Sequence, residues 1–410
     1  MDIGDSIYDR IGSERIINAG GTKTRFGGPR IREEAADAMR EAAKYCANIT
    51  DLQEVASKRL QAVTGAEAGH VTSGASAALT LATAACITRM DYGKMARLPN
   101  TEGIPNEVLI PRYMRNTYDH AFRDAGAKIV DIGHCDFSHG QETSNVELWE
   151  IEDAITENTA AIGFVPLPGN QITLERVTQV ADQNDVPVII DGAGTLPPTN
   201  NLTRYIEHGA NLVAFSGGKG IRGPQGTGFL IGDGALVEAA AVQHLDMDVH
   251  RTVWERSTRA SHDQVQSGVP RHGIGRGFKV GKEDIIGFLT ALDLFVDEDT
   301  GNLQDQWMWR LRAIKDLIED IPTVDSAITP EQLINPSDAI YRSEILPTLQ
   351  VFIEDPDLTA VEIVKSLNRG HPPIYVGARD VENNSFSINP FSLTDDEAVL
   401  VGQRIQELIN

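Results

Sequence analysis

Short apolar runs alternate with amphipathic stretches through the first 230 residues. Glu107-Val108-Leu109-Ile110-Pro111, Lys128-Ile129-Val130-Asp131-Ile132 and Ala160-Ala161-Ile162-Gly163-Phe164-Val165 read as strands. So do Val186-Pro187-Val188-Ile189-Ile190 and Ala210-Asn211-Leu212-Val213-Ala214-Phe215. Helical spacing covers Ile31 to Ala47, Leu52 to Val63 and Val177 to Asn184, while Asn116 to Ala125 reads as a loop entering a helix. Strand alternating with helix predicts a mostly parallel sheet with helices on both faces.

Beyond Gly226-Thr227-Gly228-Phe229-Leu230-Ile231 the alternation stops. A helix over Leu236 to Gln243 precedes a polar stretch, Val249 to Arg271, expected to fold against a neighbouring subunit. Glu283 to Phe295 is an amphipathic helix leading into a smaller part of the chain. There, helices are expected around 304–320, 359–369 and 395–409, with strands at 348–353, 374–379 and 386–389. The strand at 374–379 would end on Arg379. The expected layout is an N-terminal arm at 1–45, a large domain at 46–282 and a small α+β domain at 283–410. No internal repeat or low-complexity tract is visible.

Composition narrows the classes. A chain of 410 residues with 41% hydrophobic and 23% charged content is ordinary for a globular protein with a sizeable core. Its formal charge of −23, with only ten lysines among 36 basic residues, argues against a nucleic-acid surface and suits solubility in high salt. No apolar run is long enough for a bilayer, and Met1-Asp2-Ile3-Gly4-Asp5 is acidic rather than a basic signal, so a cytoplasmic location is expected. Cys46, Cys86 and Cys135 are isolated and read as reduced thiols.

Candidate chemistry lies in three places. Lys219 stands among glycines just after an apolar run, in Ser216-Gly217-Gly218-Lys219-Gly220-Ile221-Arg222-Gly223, and those glycines would leave room for a planar ligand at its amine. Ser216, three residues earlier, can face the same molecule. Upstream, the run Val186 to Ile190 ends in Asp191-Gly192-Ala193-Gly194, putting a carboxylate where open α/β sheets bind ligands. Pyridoxal phosphate needs a lysine for its Schiff base and an acid that keeps the pyridine nitrogen protonated. Asp191 and Lys219 fit that pair, and Ala193 is small enough to lie flat against the ring. Thirdly, Thr72-Ser73-Gly74-Ala75-Ser76 forms a small-residue turn into an alanine-rich helix, a ready phosphate site. No His-Glu-x-x-His, Walker loop or Gly-x-Ser-x-Gly elbow appears, and no metal site is expected.

Together these stretches resemble the fold-type I pyridoxal-phosphate enzymes, in the selenocysteine synthase-like branch and its D-glucosaminate-6-phosphate ammonia-lyase group. The resemblance also rests on Arg15-Ile16-Ile17-Asn18-Ala19-Gly20-Gly21-Thr22, on Met114-Arg115-Asn116-Thr117-Tyr118-Asp119-His120 and on Ile274-Gly275-Arg276-Gly277-Phe278-Lys279-Val280-Gly281-Lys282-Glu283. It implies a mostly parallel seven-stranded sheet in the large domain and a smaller α+β domain. Lys219 and Asp191 would be catalytic. Ser73, Gly74, Ala75, Ala193, Ser216 and Arg222 would hold the cofactor, with His120 or Tyr118 on the open ring face. Thr22 and Lys23, on an arm lying over the active site, and Arg379 would hold the substrate. The implied reaction removes water and ammonia from a 2-amino-3-hydroxy sugar acid to leave a 2-oxo-3-deoxy acid. Aminotransferase, racemase, aldolase and selenocysteine-synthase-like chemistry on the same scaffold are the alternatives. Partners would be a small amino acid or amino sugar acid and at least a second copy of the chain, with neither nucleic acid nor membrane.

Overall fold

The apolar runs of the first 230 residues end up as neighbours in one sheet. The structure, a computed structural model, describes residues 6–136, 143–168, 172–254, 268–330, 332–336 and 338–409. The stretch expected to fold against a neighbouring subunit, 249–271, lies in part outside these described residues. In chain order the strands are β1 (Ile17–Ala19), β2 (Ala68–Thr72), β3 (Glu107–Pro111), β4 (Lys128–Ile132), β5 (His134–Asp136), β6 (Thr143–Asn145) and β7 (Thr159–Phe164). There follow β8 (Val188–Asp191), β9 (Leu212–Ser216), β10 (Gly228–Gly232), β11 (Val324–Thr329), β12 (Thr348–Ile353), β13 (Ile374–Val376) and β14 (Ser385–Ile388).

The chain divides into two units, residues Ile31–Val296 and a smaller unit that joins the chain up to Arg30 with the part from Asp297 onward. The sequence boundaries at 45 and 282 fall at other points, because helix Glu33–Ala42 and helix Lys282–Val296 belong to the larger unit.

In the larger unit seven strands run in the order β2-β10-β9-β8-β7-β3-β4. All neighbours pair in parallel except β10, which is antiparallel to both β2 and β9. Every residue of β9 and β10 is buried, which is why these strands read as continuous apolar runs rather than alternating ones. Phe215, Phe229 and Phe288 pack in series with 5.1 Å between successive ring centroids, so helix Lys282–Val296 is pinned to the sheet by aromatic contact. Helix Ala75–Thr88 is buried at every position but Ser76, and its alanine-rich, faceless sequence suits such surroundings.

Helix ends follow local chemistry. Helix Ile49–Thr64 starts earlier than its apolar spacing predicts because the Asn48 side chain accepts the Thr50 N–H at 2.9 Å, and it stops at Gly65 in the left-handed region. Helix Glu33–Ala42 is shorter than the expected 31–47.

In the smaller unit, β11-β12-β14 form an antiparallel sheet and β1 pairs with β13 in parallel. Helices Thr300–Ile318, Ala360–Arg369 and Asp395–Ile409 surround a core that includes Ile17, Leu311, Ile314, Phe386 and Ile405. Here β13 ends at Val376 rather than running on to Arg379, since Gly377 leaves it to bridge Ser387. Strand β11 was not expected: it carries Asp325 and Ser326, residues depleted in strands, and its pairing with β12 holds it. Among the described residues no helix is long and apolar enough to cross a membrane.

Candidate active site

Three strand ends bring the candidate residues to one edge of the sheet. Because β10 is antiparallel to both β2 and β9, those two point the same way, and Thr72, Gly228 and Ser216 form one row across the three strands. One strand further, Asp191 pairs with Ala214. The turn after β2, the loop after β9 and the carboxylate closing β8 therefore leave the sheet on the same side.

Asp191 closes a strand whose other residues are fully buried, and Gly192 continues the ladder by donating its N–H to Ala214 O at 2.9 Å. The Asp191 Oδ1 accepts the Ala193 N–H at 3.1 Å. Loss of hydration raises the Asp191 pKa above its ordinary value, against the pull of the Ala193 N–H and the Lys219 charge. Asp119 is close enough to push it up further.

The loop after β9 is a tight knot. Gly217 donates to Thr227 O and Gly223 to Gly217 O, both at 2.9 Å, and Arg222 donates its backbone N–H to Lys219 O at 3.1 Å. Arg222 sits at φ +62°, unusual for a residue with a side chain and a common mark of functional loops. The glycines beside Lys219 serve the loop's own packing rather than ligand access. A Cβ on Gly218 would lie 2.4 Å from Gln225 Cα, and one on Gly220 would lie 2.3 Å from Leu196 O. Lys219 itself is half-buried.

The turn after β2 differs from its expected use in one respect. Gly74, at φ +96°, opens helix Ala75–Thr88, and no atom lies within 4 Å of where its Cβ would be. Ser73 Oγ, however, donates to Phe278 O at 2.7 Å, so its hydroxyl hydrogen is already committed. His244 Nε2 donates to the same carbonyl at 2.9 Å and burial lowers its pKa. A neutral His244 that donates from Nε2 accepts at Nδ1, here from His70 Nε2 at 2.8 Å. The pair borders a cavity of about 800 Å³ that Tyr92, Arg276 and Lys279 also line.

Of the two candidate stacking residues, His120 is exposed and Tyr118 is 62% exposed. Asp119 between them is 4% exposed and ion-paired with Arg115. Arg276 is paired with Asp246 at 2.9 Å. Asp246, Asp248 and His272 cluster among the described residues at metal-like spacing, but all three are exposed.

In the smaller unit the arm forms a cationic group. Burial lowers the Lys23 pKa, and the charges of Arg25 and Arg379 add to that. Arg25 stacks on Phe26 at 4.9 Å, and Arg379 is exposed. Thr22 Oγ1 accepts from Arg342 Nη1 at 3.3 Å. Sequence reasoning missed Asp119, the His70–His244 pair and Arg342. Only Asp119 left a signal, as the third position of a capping box begun by Asn116.

The donor set fits pyridoxal phosphate. A half-buried lysine, a half-buried acid of raised pKa and an open glycine turn at a helix start match its aldehyde, ring nitrogen and phosphate.

Comparison with known proteins agrees. Residues 31–245 match the model of the DegT/DnrJ/EryC1/StrS aminotransferase family. D-glucosaminate-6-phosphate ammonia lyase of Salmonella typhimurium (strain 14028s / SGSC 2262) is 27% identical over 98% of both chains. 5'-C-glycyluridine monooxygenase-decarboxylase of a Streptomyces species is 25% identical over 98% of this chain and 92% of that one. A solved structure of D-glucosaminate-6-phosphate ammonia-lyase superposes with a TM-score of 0.78 at 26% identity, covering 99% of this chain and all of the other.

Proposed function

The chain belongs to the DegT/DnrJ/EryC1/StrS aminotransferase family, and on that premise we propose that it is an ammonia-lyase acting on a 2-amino-3-hydroxy sugar acid. It is a pyridoxal-phosphate enzyme of fold type I. The observation that carries the proposal is the pairing of Lys219 with the raised-pKa acid Asp191 on adjacent strand ends, in a chain similar over its whole length to a lyase of that kind.

Bound pyridoxal phosphate supplies an electron sink for the negative charge that develops on the substrate α-carbon. Asp191 would hold the proton of the ring nitrogen by charge and hydrogen bonding, in surroundings where burial dominates its ionisation. The Lys219 amine takes the α-proton and hands it to the departing β-hydroxyl, so one residue acts as base and then as acid. The water lost in that elimination is regained when the released enamine hydrolyses, and the net products are ammonia and a 2-oxo-3-deoxy acid. Ala193 lies beside Asp191, where a larger side chain would meet the ring. The Gly74 and Ala75 amides and the Arg222 side chain would hold the phosphate, with Ser73 and Ser216 lining the site. His120 or Tyr118 would cover the open ring face. Thr22, Lys23 and Arg379 hold the substrate's hydroxyl and anionic groups, a task suited to the cations gathered there.

At least a homodimer is expected, because enzymes of this fold type normally build their sites at a dimer interface. The acidic balance argues against a nucleic-acid partner, and the isolated cysteines suit a reducing, cytoplasmic compartment.

The similarity to a monooxygenase-decarboxylase supports a second reading, oxidation of an amino acid by molecular oxygen. Incubation with 2-amino-2-deoxy-D-gluconate and its 6-phosphate, under nitrogen and without an oxo-acid acceptor, separates the two. Stoichiometric ammonia and 2-oxo-3-deoxy acid support the lyase. A strict need for oxygen supports the oxidative reading, and a need for an oxo acid supports a transferase.

A further inference from the structure

The loop that carries Lys219 is gripped from outside by Arg32. Its turn closes when Arg222 donates the backbone N–H to Lys219 O at 3.1 Å. The last two carbonyls of that turn both accept from Arg32. Arg32 Nε donates to Ile221 O at 2.9 Å, and the Arg32 backbone N–H donates to Arg222 O at 3.0 Å. Both sides of this clamp are enclosed, with Arg32 at 8% exposure and Ile221 fully buried.

By helix rules Arg32 is out of place. It is the N-cap of helix Glu33–Ala42, and its side chain makes no capping bond there. Ser, Thr, Asp and Asn suit that position, and a cation meets the positive end of the helix dipole. Departures of this kind concentrate at functional sites. The loop supplies the reason for this one. Arg222 sits at φ +62°, a conformation unfavourable for a residue with a Cβ, so the turn needs bonds from outside to stay in it. The setting is rigid. A Cβ on Gly287 would lie 2.5 Å from Met39 Cγ and 3.0 Å from Pro224 Cγ, so helix Glu33–Ala42, helix Lys282–Val296 and the far end of the lysine loop meet without a gap. All of these residues belong to the larger unit.

We propose that Arg32 is a positioning residue for Lys219, holding the Ile221 and Arg222 carbonyls so that the loop presents the lysine amine in one fixed place. The link to the amine rests on Lys219 carrying the cofactor, whereas the clamp on the loop does not. The side-chain half of the clamp acts through the Nε donor, which makes it separable from the Arg32 charge. Glutamine places an amide N–H at the same point along the side chain, and methionine places a methyl group there.

The test compares Arg32→Met with Arg32→Gln. In the cofactor-free protein, deuterium exchange of the peptide spanning 217–227 should be faster than wild type by about tenfold or more in Arg32→Met, as an unsatisfied buried carbonyl implies. Arg32→Gln should exchange close to the wild-type rate. Formation of the borohydride-reducible linkage on adding pyridoxal phosphate should slow by a similar factor in Arg32→Met and recover in Arg32→Gln. Wild-type rates of both processes in Arg32→Met overturn the proposal, even if that variant unfolds at lower denaturant concentration, for Arg32 would then be structural only. Equal losses in Arg32→Gln overturn it as well, because the charge and not the Nε donor would be responsible. Should Arg32→Met fail to fold, Arg32→Lys takes its place, since it keeps the charge but has a methylene where Nε stands. An impaired Arg32→Lys beside an intact Arg32→Gln supports the clamp, and the reverse order refutes it. Faster loop exchange in Arg32→Met, with the wild-type linkage mapped to another lysine, would refute Lys219 as the cofactor's carrier and leave the clamp standing.

Discussion

Asp191 and Lys219 leave the same edge of the sheet from neighbouring parallel strands, close enough that the lysine charge opposes the burial that raises the Asp191 pKa. An acid whose folded pKa lies above its unfolded one costs stability once pH exceeds both values. The cost disappears below the unfolded value of about 3.9. Above the carboxylate range the cofactor-free protein carries that cost.

Asp191→Asn should therefore melt at or above wild type when cofactor-free at pH 7, with the gap closing as pH falls toward the carboxylate range. The same variant, cofactor-loaded, should exchange the substrate α-proton more slowly by about a hundredfold or more. Thermal melts and deuterium exchange read these separately. A cofactor-free variant melting several degrees lower, or a loaded variant exchanging at the wild-type rate, removes Asp191 from its assigned role.

Gly220→Ala tests the packing of the lysine loop. The new methyl would stand 2.3 Å from the Leu196 carbonyl oxygen, which cannot yield without moving backbone. A loss of about 3 kcal/mol or more in denaturant unfolding is expected, within the range seen for severe overpacking. A cost within the usual surface range would mean that these glycines serve ligand access after all.

Ser73→Ala asks what the turn after β2 uses. The Ser73 hydroxyl hydrogen goes to Phe278 O, which keeps His244 as a second donor when the serine is lost. A cost near 1 kcal/mol and a melting shift of roughly 2–4 °C are expected. Cofactor affinity measured by fluorescence titration should change little. A large loss of affinity at an unchanged melting temperature would return the hydroxyl to the phosphate.

Much of this was legible in the chain. Strands β3, β4, β7, β8 and β9 announced themselves as apolar runs, and Asp191 was visible as a polar residue closing one of them and Lys219 as one just past another. What stayed hidden depends on pairing. Only the insertion of antiparallel β10 between β2 and β9 puts the Ser73 turn in line with Ser216. Arg342 lies in an irregular stretch with no motif, and its burial comes from Thr22, 320 positions away, and from Phe391. The role of Gly218 and Gly220 was misread because a glycine looks the same whether it admits a ligand or a neighbouring backbone.

Arg379 shares its charge environment with Lys23, and both are candidates for a distal anion. Arg379→Ala should raise KM more than it lowers kcat, as loss of uniform binding does. The rise should be larger for 2-amino-2-deoxy-D-gluconate 6-phosphate than for the unphosphorylated acid. Steady-state kinetics on the two substrates decide this. An equal rise for both would show that Arg379 holds a group common to them, such as the carboxylate.

The most direct test is which residue carries the cofactor. Borohydride reduction of the loaded wild type, followed by peptide mapping, is expected to place the pyridoxyl group on Lys219 alone. Lys219→Ala should lose the reducible linkage and its absorbance near the visible–ultraviolet boundary while keeping its fold by circular dichroism. Pyridoxyl label on any other lysine, or a reducible linkage surviving in Lys219→Ala, would contradict the assignment of this loop as the centre of the enzyme.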